Sequence, residues 1–204
     1  MIRVILAGEG KNELGGFALE LAFRGKQPEM GVVEALLRQI RPDGFEVVDA
    51  ILWKHIPKLQ VGIGGKGEGN NVRRAYHHAK KRGCDVLAFT RDRDKEKFAY
   101  RDEEIERALA ELKDGSGGGP RVIGGVAIEK LESWLAAIAG VHGSEGLSRP
   151  EQRLKEFGVP EKDTAGMVRL VEERGLGSMA GDALSLKRWL ERARDVLRPG
   201  EPNP

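Results

Sequence analysis

The chain has 204 residues and a formal net charge of +2, with 34 Lys and Arg against 32 Asp and Glu. Bulk charge therefore selects no partner, and the distribution of charge has to be read instead. A hydrophobic share of 40% with 32% charged residues is that of a globular chain with a solvated surface, long enough for one domain with a proper core. No apolar run reaches the about 18 residues of a membrane-spanning helix, and a single cysteine, Cys84, excludes a disulfide framework. The amino terminus enters an apolar stretch without the basic-then-apolar order of a signal peptide, so an intracellular, cytoplasmic protein is expected.

Strand and helix signals alternate along the chain. Ile2–Ala7 reads as a buried strand. A helix is expected through Phe17, Leu19, Leu21 and Phe23, and a second through Val33, Leu36, Leu37 and Ile40, stopped by Pro42-Asp43-Gly44. Phe45–Trp53 reads as strand, after which Pro57 opens a glycine-rich loop from Val61 to Asn70. Asn70 or Asn71 is the expected cap of a helix burying Val72, Ala75, Tyr76 and Ala79. A strand over Asp85–Phe89 follows, then a helix with Ile105, Ala108, Leu109 and Leu112 inward, and a Gly/Ser loop from Gly115 to Gly119. Arg121–Ile128 looks like a fourth strand and Glu129–Ala139 a helix.

Beyond Gly140 the character changes. Residues 149–157, 164–174 and 182–197 read as short amphipathic helices, and the tail 199–204 as disordered. The fold class expected is α/β: a mostly parallel, Rossmann-like sheet with flanking helices over 1–140, and a helical C-terminal lobe over 141–198 that extends the same domain.

Two acidic clusters carry the chemistry. Gly8-Glu9-Gly10-Lys11-Asn12-Glu13 follows the first strand, and Arg91-Asp92-Arg93-Asp94 follows the third. If these strands are parallel neighbours, their carboxyl ends lie together at the edge where open α/β sheets place ligands. Like charges gathered there resist joint ionisation unless a cation sits among them. Side chains two apart in extended backbone point the same way, so Asp92 and Asp94 are expected to face one ion. Mg²⁺ takes hard oxygen ligands, with one or two carboxylates plus water and phosphate. Glu9 and Glu13 are further candidate ligands, and Glu132, three residues past Glu129 on the expected helix, is a candidate to complete the site.

Basic residues surround these acids. Arg73, Arg74, Lys80, Lys81 and Arg82 precede the second cluster; Arg91, Arg93, Lys95 and Lys97 lie in and after it. Lys66, Arg73, Arg74, Arg91, Arg93 and Lys95 are the candidates for tracking a nucleic-acid backbone. The plainer reading of the helical group is a solvated face with cations suited to a helix C-terminus.

The order Glu9-Gly10-x-x-Glu13, then Asp92-x-Asp94 after an apolar strand, then Glu132-x-Trp134-Leu135, resembles the Toprim superfamily. That superfamily includes topoisomerases, primases and the overcoming-lysogenization-defect nucleases. The likeness is strongest to standalone Toprim-like proteins found beside ATPases in bacterial defence loci, and it covers roughly residues 1–140. The resemblance implies a glutamate of the family's invariant type at Glu9 and a metal-binding pair at Asp92 and Asp94. It also implies Mg²⁺- or Mn²⁺-dependent hydrolysis of DNA or RNA, with an ATPase as a partner protein. Lys11, Arg91 or Lys95 would neutralise transition-state charge. Related nucleases place a late lysine near the metals, for which Lys130, Lys155 and Lys187 are all candidates.

Two other readings compete. Gly62-Ile63-Gly64-Gly65-Lys66-Gly67 fits a dinucleotide-binding G-x-G-x-x-G pattern, although Pro57 separates it from the preceding strand. A Toprim-like subunit that binds nucleic acid or an ATPase complex without cleaving would carry much the same sequence. His77 and His78 lack a partner at metal-ligand spacing, and no G-x-S-x-G elbow is present.

Overall fold

The computed structural model describes residues 1–18, 29–59, 61–94, 96–114 and 118–198. Leu19, Leu21 and Phe23 of the first expected helix, Lys95, residues 115–117 of the Gly/Ser loop and the tail 199–204 lie outside the described residues.

The chain builds an open parallel sheet of four strands: β1 (Ile2–Gly8), β2 (Phe45–Leu52), β3 (Val86–Phe89) and β5 (Arg121–Ile123), ordered β2-β1-β3-β5. Both faces are covered, which is why β1 and β3 are continuous apolar runs rather than alternating ones. Val4, Leu6, Val86 and Ala88 face one helical layer, with α2 (Val32–Ile40), α5 (Leu131–Ile138), α7 (Thr164–Arg174) and α8 (Leu184–Leu197). Ile5, Ala7, Leu87 and Phe89 face the other, with α3 (Glu68–Lys81), α4 (Tyr100–Asp114) and the 3₁₀ segment Trp53–Lys58. The C-terminal helices thus share one apolar core with the sheet: Leu154 of α6 (Pro150–Lys155), Val171, Leu186 and Trp189 belong to the same buried cluster as Val4 and Val86.

Three elements differ from the sequence expectation. The fourth strand is divided: Gly124-Gly125 ends β5, and β6 (Val126–Ala127) pairs in parallel with β4 (Arg91–Asp92) as a separate ribbon. Phe89 packs against the break: a Cβ at Gly124 would stand 2.2 Å from Phe89 Cε1, so the position accepts only glycine. Helix α3 starts at Glu68, ahead of Asn70 and Asn71, because a carboxylate from another helix caps it. Finally, α5 starts at Leu131, leaving Glu129 outside the helix with φ 64°, so Glu129 and Glu132 are not neighbours on one helix face.

Candidate functional site

β1 and β3 are adjacent and parallel, with Ala7 opposite Phe89, so the two acidic clusters leave neighbouring carboxyl ends. From β1 the strand order runs to β2 on one side and to β3 and β5 on the other. The clusters therefore flank the topological switch point, where the crevice of an open α/β sheet forms.

Each acid is placed by a local device. After β1 the chain turns at once into the short helix α1 (Lys11–Leu14), which folds Glu13 back against the strand end. Gly8 permits this, since a Cβ there would stand 2.7 Å from Glu13 Cβ. Glu13 is 6% exposed and accepts the Gly10 N–H at 2.9 Å. Burial pushes its pKa up, two backbone N–H groups pull against that, and the charge of Glu132 pushes it up further.

Beyond Thr90 the chain leaves the main sheet as β4. Pairing with β6 sets Asp92 beside the start of α5, where its Oδ1 accepts the Leu131 N–H at 2.9 Å. Asp92 is driven well above the ordinary carboxylate pKa, first by burial, then by the charges of Glu13 and Glu132, with the Leu131 hydrogen bond opposing. Asp94 adds a smaller repulsion than either glutamate. Glu132, in the first turn of α5, accepts from Asn12 Nδ2 at 3.4 Å, and Asn12 Oδ1 accepts from Thr164 Oγ1 at 3.0 Å. Asp92, Glu13 and Glu132 thus form one mutually repelling set, and none of the three makes an ion pair among the described residues.

The outer acids are held differently. Glu9 forms an ion pair with Arg91 Nη1 and accepts the Asp92 backbone N–H at 3.1 Å. The extended backbone expected through Asp92 and Asp94 ends at Asp94, which has φ 66°, so the two-residue alternation does not reach it. Its Oδ2 pairs instead with Arg101 Nη1 at 2.5 Å. Arg93 pairs with Glu129 at 2.8 Å. Behind this layer, the buried Glu68 Oε1 faces Arg91 Nε at 3.0 Å and Arg101 Nε at 3.5 Å. Its Oε2 accepts from Trp53 Nε1 at 2.8 Å and Asn71 Nδ2 at 3.1 Å.

The remaining sequence candidates lie as follows. Lys11 pairs with Glu29 at 3.4 Å. Arg74, at 6% exposed, is spent on the glycine loop, donating to the Ile63 and Gly65 carbonyls at 3.1 and 2.6 Å. Arg73 pairs with Glu111 at 2.5 Å, and Lys66 is exposed in the loop. Lys130 stands at the N-cap of α5, 3.9 Å from Glu151; Lys155 is exposed on α6 and Lys187 half-buried on α8. Arg74 is thereby a fold residue, and of the other described basic candidates Lys66 is exposed while Arg73, Arg91 and Arg93 are each ion-paired. The glycine loop also departs from a dinucleotide site. Where a phosphate would meet the N-terminus of α3, Glu104 Oε2 already accepts the Glu68 N–H at 2.6 Å and the Gly69 N–H at 3.4 Å.

Glu68, Arg101, Glu104 and Asn12 received no role from the sequence. Asn12 lay within the first acidic cluster and Glu68 within the glycine-rich loop, but no spacing marked either. Comparison with protein-family models, curated proteins and solved structures finds nothing that matches this chain. Among the described residues no helix is long and apolar enough to cross a membrane.

The donor set also bears on a cation. As the side chains stand, no group of three or more His, Cys, Asp and Glu among the described residues forms a ready metal cage. Mg²⁺ does not require one, since it is usually held by one or two carboxylates plus water and substrate oxygens. Asp92 with Glu13 or Glu132 meets that demand: hard oxygen donors, largely withdrawn from solvent, that form no ion pair among the described residues, although the charge of Arg91 reaches Asp92.

Proposed function

We propose that the chain is a divalent-cation-dependent phosphodiesterase of Toprim type that acts on nucleic acid at the β1/β3 switch point. The observation that carries this reading is the set Asp92, Glu13 and Glu132 at that crevice, which repel one another and form no ion pair among the described residues. A bound Mg²⁺ or Mn²⁺ supplies Lewis-acid charge to a phosphoryl group. Asp92 and Glu13 hold the ion, with Glu132 beside them. Asp92 is oriented by the Leu131 N–H, and Glu132 by Asn12, itself held by Thr164. Arg91 and Arg101 line the same crevice, and their planar, permanently charged forks suit phosphate oxygens. Glu9, which holds both Arg91 and the Asp92 N–H, ties the two charge layers together.

The test is cleavage of supercoiled plasmid, single-stranded DNA and single-stranded RNA across a Mg²⁺ and Mn²⁺ titration, with wild type and Asp92→Asn side by side. Metal-dependent cleavage by wild type alone is expected. Cleavage that persists in folded Asp92→Asn, or that ignores chelator, overturns the assignment.

A further inference from the structure

We infer that a second binding site, at the end of the sheet opposite the crevice, takes a polyphosphate anion: inorganic di- or triphosphate, or the phosphate chain of a nucleotide. This site is independent of the metal-dependent reading above.

The amino ends of β1, β3 and β5 and the C-terminal ends of α2 and α3 border a cavity of about 730 Å³, a volume typical of small-molecule sites. Its lining carries three cationic side chains, Arg41, Lys80 and Arg121, against one carboxylate, Asp85. That carboxylate is already engaged, because its Oδ2 accepts the Arg3 backbone N–H at 2.7 Å. No aromatic ring lines the cavity, so a nucleobase finds nothing to stack on, and the phosphates are the group to be recognised.

Arg41 is the best prepared of the three. Its Nε and Nη1 donate to the carbonyls of Asp43 and Leu197 at 2.9 and 2.8 Å. Its Nη2 lies over Gly44, where a Cβ would come within 2.7 Å of it. The fork is thus fixed in place by backbone, without a carboxylate partner among the described residues, so little side-chain freedom is left to lose when an anion binds. Arg41 and Lys80 stand at helix C-termini, where cations suit the dipole in any case. Arg121 opens a strand, where no such field calls for a cation, and its exposed side chain forms no ion pair among the described residues. Planar, permanently charged guanidiniums meet phosphate oxygens with paired hydrogen bonds. Cations on three separate elements suit an anion that spreads its charge over several oxygens better than a lone carboxylate.

The experiment is calorimetric titration of the full chain with sodium tripolyphosphate, ATP and citrate. It is run in chelator at about 150 mM salt, where a screening length of about 8 Å suppresses diffuse attraction. Wild type, Arg121→Gln and Lys66→Gln are compared, with circular dichroism confirming the fold. Lys66 is exposed in the loop before α3, at the other end of that helix from the cavity, so Lys66→Gln controls for loss of one surface charge. Wild type should bind one tripolyphosphate, more tightly than citrate. Arg121→Gln should weaken it about tenfold, the weight of one charge-assisted hydrogen bond, and Lys66→Gln should stay within about twofold. ATP binding as tightly as tripolyphosphate assigns the site to a nucleotide's phosphates, and weaker ATP binding assigns it to the free inorganic anion. No saturation below about 1 mM, citrate bound as tightly as tripolyphosphate, or affinity unchanged in Arg121→Gln overturns the inference. None of these results bears on cleavage at the crevice, so the two readings fail separately.

Discussion

Replacing Glu68 by glutamine keeps the shape of the side chain and removes one buried charge. Three donors hydrogen-bond to that carboxylate, Trp53 Nε1 at 2.8 Å, Asn71 Nδ2 at 3.1 Å and Arg91 Nε at 3.0 Å, and Arg101 Nε lies at ion-pair distance, 3.5 Å. An amide offers one acceptor oxygen in place of two and turns an NH₂ toward groups that can only donate. The two guanidiniums would then face each other with Glu9 and Asp94 as their remaining ion-pair partners, where burial first and the Arg101 charge second already depress the Arg91 pKa. Removing one partner of a buried ion pair costs about 3–5 kcal/mol. Because each arginine retains a second carboxylate, the low end, about 3 kcal/mol, is the appropriate figure here. For a chain of this length each kcal/mol lowers Tm by about 2–4 °C, so Glu68→Gln should melt roughly 6–12 °C below wild type. Differential scanning calorimetry at neutral pH, with urea denaturation as a second measure, reads this directly. A variant melting within about 2 °C of wild type would show that Glu68 is not the counter-charge for the arginine pair.

Two further outcomes follow from the same geometry. Asp92 and Glu13 bind protons more tightly in the native state than when unfolded, because their folded pKa values are raised. Their stabilising contribution is complete below the unfolded values, about pH 4, and is lost as pH rises through the raised folded values. In chelator, Asp92→Asn should therefore match wild type near pH 4 and become the more stable protein as pH rises to 8, read by urea denaturation across that range. A gap that does not change with pH refutes the raised pKa. At the carboxyl end of β3, the fully buried Trp189 of α8 donates Nε1–H to the Phe89 carbonyl at 2.9 Å and packs against Trp134 with ring centroids 5.9 Å apart. Trp189→Phe keeps an aromatic ring and strands that carbonyl, an expected loss of about 2 kcal/mol or roughly 4–8 °C in Tm. An unchanged melting curve would mean that α8 does not brace the strand end leading to Asp92.

Much of the scaffold is determined by local pattern. The unbroken apolar runs Val4–Ala7 and Val86–Phe89 can bury both faces only in a covered parallel sheet, and the alternating helices supply the cover. Once those strands are neighbours, the acids that follow them must share an edge, so Glu9, Glu13, Asp92 and Asp94 were all legible as residues of one crevice. Helix starts are less legible. Asn70 and Asn71 have the side chains of caps, but Glu104 occupies that role from α4, 36 residues away from the Glu68 N–H it receives.

Which acid faces which cation was decided by the tertiary structure alone. Glu9 and Arg91 are 82 residues apart, and Asn12 and Glu132 are 120 apart. Spacing carries no information about such pairs, because their strength depends on distance and on the solvent left between them. Asp94 shows the point most directly. Its sequence position promised a carboxylate parallel to that of Asp92, and one left-handed backbone angle, held by a hydrogen bond to Glu129, turned it to Arg101 instead. The sequence alone determined the sheet and the edge where its acids gather. Packing of α1, α4 and α5 around that edge decided which acids pair with arginine and which form no ion pair among the described residues.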